Sequence, residues 1–333
     1  MKKVVGAVVA VIVALGVIGF VSLRAVDASG QSTTTKAAPT VKVATATKTY
    51  SVMVGDVKRS YEVIAPVKAL QKTAPVIVML SGIGAATVSG ATAVAGEISR
   101  DDLVNYATSD QAEIVYPEPL YGSWNAIGCC GAAAAKNVND LAFLEALVAK
   151  VDPGHARQID VVGYSNGARL AYRVACDNPG LFDGYAMVKG EPTSGCDLRQ
   201  PVSILEIASV NDPEVPYQPG DHGSVESLPV TTLVGELRTT EKCPANAAVS
   251  HSGEMTQTTW SGCAGGTRIA LAAPRHTTPA SAVLRLVWPP VDPSFGVTAA
   301  SGSRERMSRS GLNTATIAAS IPPPTANARS HAW

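Results

Sequence analysis

An excess of charge of either sign is absent from this sequence. Its 27 lysines and arginines are balanced by 27 aspartates and glutamates, and charged residues are only 16% of the chain. A surface built to hold a polyanion needs a basic surplus, so nucleic acid is excluded as a partner. Aromatic residues are also scarce at 5%, with four Phe and four Trp, which leaves no obvious platform for carbohydrate. The five histidines are scattered and join no cysteines at metal-ligand spacing, so neither a metal nor another cofactor is expected. Lysine is missing from Ala273 to the C-terminus, where Asp292 and Glu305 are the only acids.

What is present begins with an export signal. Lys2 and Lys3 precede an apolar run from Val4 to Leu23 that Arg24 closes. The run is long enough for one membrane-spanning helix, and Val26-Asp27-Ala28 offers small residues where a signal peptidase could cut. Residues 1–26 therefore read as a signal peptide or an N-terminal membrane anchor. The protein is expected to be secreted or held on the outer face of the cell membrane. Six cysteines fit that compartment. Cys176 with Cys196 and Cys243 with Cys263 each bracket a short segment and are the expected pairs. Adjacent Cys129 and Cys130 leave a vicinal bridge and two free thiols both open.

Residues 27–47 are rich in Ser, Thr, Ala and Lys without a hydrophobic period, as in a flexible linker. From there to residue 272 strands and helices alternate. Tyr50–Val54 and Arg59–Ile64 flank Gly55-Asp56 as a hairpin would. Pro75–Leu80, Ala112–Pro117, Ile159–Val162, Gly184–Val188, Val202–Ala208 and Thr267–Ala272 read as strands, several of them apolar on both faces. Leu141, Phe143, Leu144, Leu147 and Val148 line one face of a helix after an Asn-Asp cap. Such alternation indicates an α/β protein, with a mostly parallel central sheet flanked by helices. Residues 273–333 are dominated by Pro, Ala, Ser, Thr and Arg. They read as a disordered tail, either a natural low-complexity segment or the product of a shifted reading frame.

The chemistry is concentrated in Gly163-Tyr164-Ser165-Asn166-Gly167. The spacing Gly-x-Ser-x-Gly is that of a nucleophile elbow, in which a strained turn between strand and helix exposes a serine hydroxyl. An apolar strand precedes it and a helical stretch, Ala168–Ala175, follows. Serine needs a base to take its proton and an acid to orient that base. Asp212 follows the Val202–Ala208 strand and is the natural acid, with Glu214 in reserve. His276 follows the last strand, where the order Ser, Asp, His demands the base. His222 and His251 lie in polar surroundings, His331 is in the tail, and His155 precedes the serine in a turn. Backbone N–H groups of Asn166 and Ile83 are the expected oxyanion donors, the latter from the glycine-rich loop Ser81-Gly82-Ile83-Gly84. Trp124 is a candidate for the substrate pocket, and a core tryptophan is an equal reading of it.

Many landmarks occur in order between Arg59 and Leu271. They include Arg59-Ser60-Tyr61, Val76–Gly82, Ile114–Pro117, Gly122-Ser123-Trp124-Asn125, Cys129-Cys130-Gly131 and Asn139–Leu144. Val162–Gly167, Asp212–Tyr217 and Thr259–Cys263 complete the series. In these the chain resembles the exported polyhydroxybutyrate depolymerase-like esterases, kin to the feruloyl and acetylxylan esterases of carbohydrate esterase family one. The resemblance implies an α/β-hydrolase fold, Ser165 as nucleophile and Asp212 as acid. It also implies an ester substrate, small or polymeric: polyhydroxyalkanoate-like, feruloyl or acetyl. Three departures from the family stand out. Ser81-Gly82 replaces the usual His-Gly, Asn139-Asp140 replaces Asp-Asp, and His276-Thr277-Thr278-Pro279 replaces His-x-Trp-Pro. A cell-envelope acyltransferase of the same fold is a second reading, and a catalytically impaired, surface-anchored binding protein is a third.

Overall fold

The computed structural model describes residues 45–68, 70–84, 112–126 and 131–275, and the backbone of two paired two-residue strands, Ala25–Val26 and Ser32–Thr33. The apolar run 4–23, Cys129, Cys130 and His276 with the rest of the tail lie outside the described residues. Among the described residues no helix is long and apolar enough to cross a membrane.

Ten strands form one sheet. The first two, β1 (Thr45–Val54) and β2 (Val57–Pro66), are a hairpin turning at Gly55, whose φ of 57° suits glycine. Next come β3 (Val76–Leu80), β4 (Glu113–Pro117), β5 (Ile159–Tyr164), β6 (Gly184–Val188) and β7 (Ile204–Ile207). The set closes with β8 (Ala248–Ser252), β9 (Met255–Ser261) and β10 (Arg268–Pro274). From one edge the order is β1-β2-β4-β3-β5-β6-β7-β10-β9-β8. Every pairing from β4 through β10 is parallel, while both edges are antiparallel.

The apolar runs take the middle of the sheet because only there are both faces dry. Every residue of β3, β6 and β7 is buried. Alternation sends Val76, Val78 and Leu80 into one core and Ile77 and Met79 into another. The first core is covered by α2 (Asp140–Val151), α3 (Asn166–Asp177) and α4 (Val230–Thr240), through Phe143, Leu147, Leu170, Val174, Leu233 and Leu237. Each such side chain contributes about 1.5–3 kcal/mol when fully buried. A short helix, α1 (Gly131–Ala135), precedes α2. The α2 cap is the expected one: the Asn139 side chain accepts from the Ala142 N–H at 3.1 Å.

Both expected disulfides are present. Cys176–Cys196 ties the end of α3 to the segment after β6, and Cys243–Cys263 ties the end of α4 to the β9–β10 turn. Two boundaries differ from the sequence reading. The sheet starts at Thr45, inside the expected linker, and β10 carries Ala273 and Pro274, opposite Thr256 and Met255, beyond the expected start of the tail. The β8–β9 hairpin escaped the sequence because β8, Ala-Val-Ser-His-Ser, is exposed throughout and carries no alternating apolar pattern.

Candidate active site

The strand ends converge as the pattern foretells. Ser165 sits between β5 and α3 at φ 53° and ψ −117°, a conformation that costs a non-glycine residue roughly 1–3 kcal/mol. Its surroundings hold it there. Its N–H donates to the Val188 carbonyl at 2.9 Å, and its own carbonyl accepts from Arg169 N–H at 3.1 Å. The two flanking glycines are steric necessities: a Cβ on Gly163 would overlap the Gly167 carbonyl, and one on Gly167 would overlap the Leu80 carbonyl. Gly190, after β6, is packed against the Ser165 carbonyl in the same way. So Gly163-x-Ser165-x-Gly167 is a true elbow, built where β3, β5 and β6 end.

The glycine loop reaches the same point. A Cβ on Gly82 would lie 3.4 Å from the Cβ of Ser165 and 3.1 Å from the Tyr164 ring. Ile83 follows it and is 54% exposed. Asn166 is buried, and its amide group brackets Trp124. Its Oδ1 accepts from the Trp124 N–H at 2.6 Å and its Nδ2 donates to the Trp124 carbonyl at 3.2 Å. Trp124 takes the core alternative of its two sequence readings. It is fully buried, with Nε1 donating to the Ser81 carbonyl at 2.9 Å. The indole therefore supports the loop from below and offers no face to a pocket.

Asp212 lies in the turn after β7. Its Oδ1 accepts the N–H groups of Glu214 at 2.8 Å and Val215 at 3.2 Å, and its side chain is 4% exposed. Glu214 is mostly in solvent, so the buried acid is Asp212. Lys189, which the sequence did not single out, bridges both carboxylates: its Nζ lies 3.2 Å from Asp212 Oδ2 and 2.8 Å from Glu214 Oε2. Burial pulls the ammonium pKa down, but hydrogen bonds to the two carboxylates outweigh it and leave the net shift upward. Lys189 adopts φ 51°, directly after β6.

Beneath this cluster lie two more buried acids, Glu191 and Glu206. They are in hydrogen-bonding contact with each other, and the backbone N–H groups of Glu191 and Ile207 also reach the pair. Two carboxylates can share a bond only when one keeps its proton. Burial accordingly pushes Glu191 up to about 7, and burial together with Glu191 pushes Glu206 well above the usual range.

His276 itself is outside the described residues, but the chain leading to it is fixed. Val210 N–H donates to the Pro274 carbonyl at 3.3 Å, and Asn211 Nδ2 donates to the Arg275 carbonyl at 2.7 Å. The residue before Asp212 thus grips the residue before His276. Of the other histidines, His155 is at the amino end of β5, opposite the elbow, and His251 is exposed on the outermost strand. His222 is also exposed, yet nearer than its sequence position suggests. The neighbouring N–H groups of Ser224 and Val225 bond the carbonyls of Pro213 and Glu214. Among the described residues no group of His, Cys, Asp and Glu could hold a metal.

Setting aside the β8–β9 hairpin, the strand order from the β1 edge runs first, second, fourth, third, then fifth to eighth, with a serine elbow after the fifth. The chain has an α/β-hydrolase fold. No family model matches it. Among curated proteins it is similar to "Feruloyl esterase C" of Emericella nidulans, 28% identical over 160 residues, 46% of this chain and 52% of that one. It is also similar to "Probable feruloyl esterase C" of Aspergillus niger, 30% identical over 113 residues, 33% of this chain and 38% of that one. The chain thus spans about half, or less, of the length of these relatives. Among solved structures, the acetyl xylan esterase of Aspergillus awamori is similar over 68% of this chain and 92% of its own, with 12% identity and a TM-score of 0.44.

Proposed function

We propose that the chain is an exported serine esterase that cleaves carboxylic esters through an acyl-enzyme on Ser165. The observation that carries this reading is the strained Ser165, at φ 53°, with Gly82 packed against it and Asp212 at the end of the same sheet. His276 takes the Ser165 proton as Oγ attacks the ester carbonyl. The carbonyl electron pair becomes an oxyanion, received by the N–H groups of Asn166 and Ile83. Each such donor supplies about 3 kcal/mol of transition-state stabilisation. Collapse expels the alcohol, which leaves with the proton from His276, and Asp212 stabilises the imidazolium meanwhile. Water then enters by the same route in reverse and releases the acid. The names of the similar proteins favour feruloyl or acetyl esters, and the two disulfides favour an oxidising compartment outside the cytoplasm.

A fluorophosphonate probe tests the reading. Labelling of the wild-type chain that disappears in Ser165→Ala is expected; equal labelling of both sinks it. One observation favours the reading as an impaired, binding-only protein. Both oxygens of Asp212 are already occupied, one by backbone N–H groups and one by Lys189. Well-folded protein that turns over no p-nitrophenyl ester supports that alternative.

A further inference from the structure

We propose that Trp124 is a positioning residue that sets the distance between the two oxyanion donors, with the Asn166 side chain as its partner. This rests on the esterase reading above. The two donors come from separate segments, the loop after β3 and the first turn of α3. Trp124 touches both. Its main-chain N–H and C=O are bonded by the Asn166 amide at 2.6 and 3.2 Å, like the paired bonds of neighbouring strands. Its indole N–H holds the Ser81 carbonyl at 2.9 Å. A carbonyl fixes the plane of its peptide, so this bond orients the Ser81–Gly82 unit. Only the two soft torsions of Gly82 then separate that plane from the Ile83 N–H. Tyr164 and Ser165 crowd Gly82 from the other side.

The clamp is itself anchored. Asn125 N–H donates to Asp140 Oδ2 at 2.7 Å, and Arg173 Nη1 donates to the Asn125 carbonyl at 2.6 Å. Gly84 N–H donates to the Gly122 carbonyl at 3.1 Å, a second tie between the two loops. Trp124 and Asn166 are both fully dry, at 0% and 1% exposure. Bonds made there are stronger than in water, and unmade ones cost more. An indole without its N–H leaves the Ser81 carbonyl unpaired and free to rotate its peptide. The oxyanion donors would then no longer converge on one point.

Trp124→Phe tests this, with active sites counted by end-point fluorophosphonate titration. Loss of aim at the oxyanion lowers kcat by at least about tenfold. KM stays within about twofold, because ground-state binding does not use the hole. The inhibition constant of a trifluoromethyl ketone, which becomes an oxyanion when Ser165 adds to it, rises in proportion to the loss in kcat. If Trp124→Phe does not fold, Asn166→Asp is read in the same way, since it removes the donor to the Trp124 carbonyl. Unchanged kcat per titrated site with only a lower melting temperature overturns the proposal, as does a rise in KM alone. Wild-type protein that no probe labels overturns the esterase reading and the clamp with it. Labelled wild type with fully active variants overturns the clamp alone.

Discussion

Lys189 is the residue whose role in the proposed chemistry is least expected. A cation 3.2 Å from the acid that should stabilise an imidazolium opposes that stabilisation. Replacing it by the isosteric, uncharged methionine removes the opposition and frees Asp212 Oδ2. In Lys189→Met the acidic limb of the kcat/KM profile should move upward, by about one pH unit. An unmoved limb would mean that Asp212 does not face the base. The elbow and Asp212 were legible because their chemistry demands fixed company: two glycines around a serine, and an acid at a strand's end. Lys189 was not, since a lone lysine after a strand looks like any solvated charge. Trp124 stayed open for a related reason: an indole near a site suits a pocket wall and a buried strut equally, and only its contacts decide.

At the scale of elements, the loop between β4 and α1 depends on an ion pair. Arg59 on β2 donates to Asp140 at the start of α2 at 2.8 Å, with side-chain exposures of 1% and 0%. The guanidinium also lies 4.0 Å from the centre of the Phe143 ring. Burial lowers the arginine pKa and raises that of the aspartate despite their pairing. Both shifts point toward neutrality, so desolvation is not fully offset and the pair serves position more than stability. Removing one partner still strands the other. Asp140→Ala should lose about 3–5 kcal/mol, read from a denaturant midpoint; a loss below about 1 kcal/mol would contradict the buried pairing. The elements themselves followed from the sequence wherever apolar residues repeat, as in Val76–Leu80 or Leu141–Val148. They failed to follow at Ala248–Ser252, whose side chains face water and which pairs with β9 through its backbone and one side-chain bond, His251 to Thr256.

The whole molecule carries a reserve of buried acids, and this fixes the sign of its pH response. Asp160, on β5, is pushed up to about 8 by burial and by Asp183, and Glu191 to about 7. In the unfolded chain both would ionise near pH 4. Between about pH 4 and these raised values the native state therefore holds protons that the unfolded state has lost, and stability falls as pH rises through that window. The melting temperature should be higher at pH 5 than at pH 8, and Asp160→Asn should flatten the difference. A protein steadier at pH 8 than at pH 5 would contradict the burial of these groups.

The central claim is that Ser165 is an activated nucleophile served by His276. The most direct measurement is the fluorophosphonate labelling rate of wild type beside Ser165→Ala, His276→Ala and His222→Ala. Rapid labelling of wild type and His222→Ala is predicted, with none in Ser165→Ala and a rate at least about a hundredfold lower in His276→Ala. Undiminished labelling of His276→Ala, or its loss in His222→Ala instead, would contradict the account.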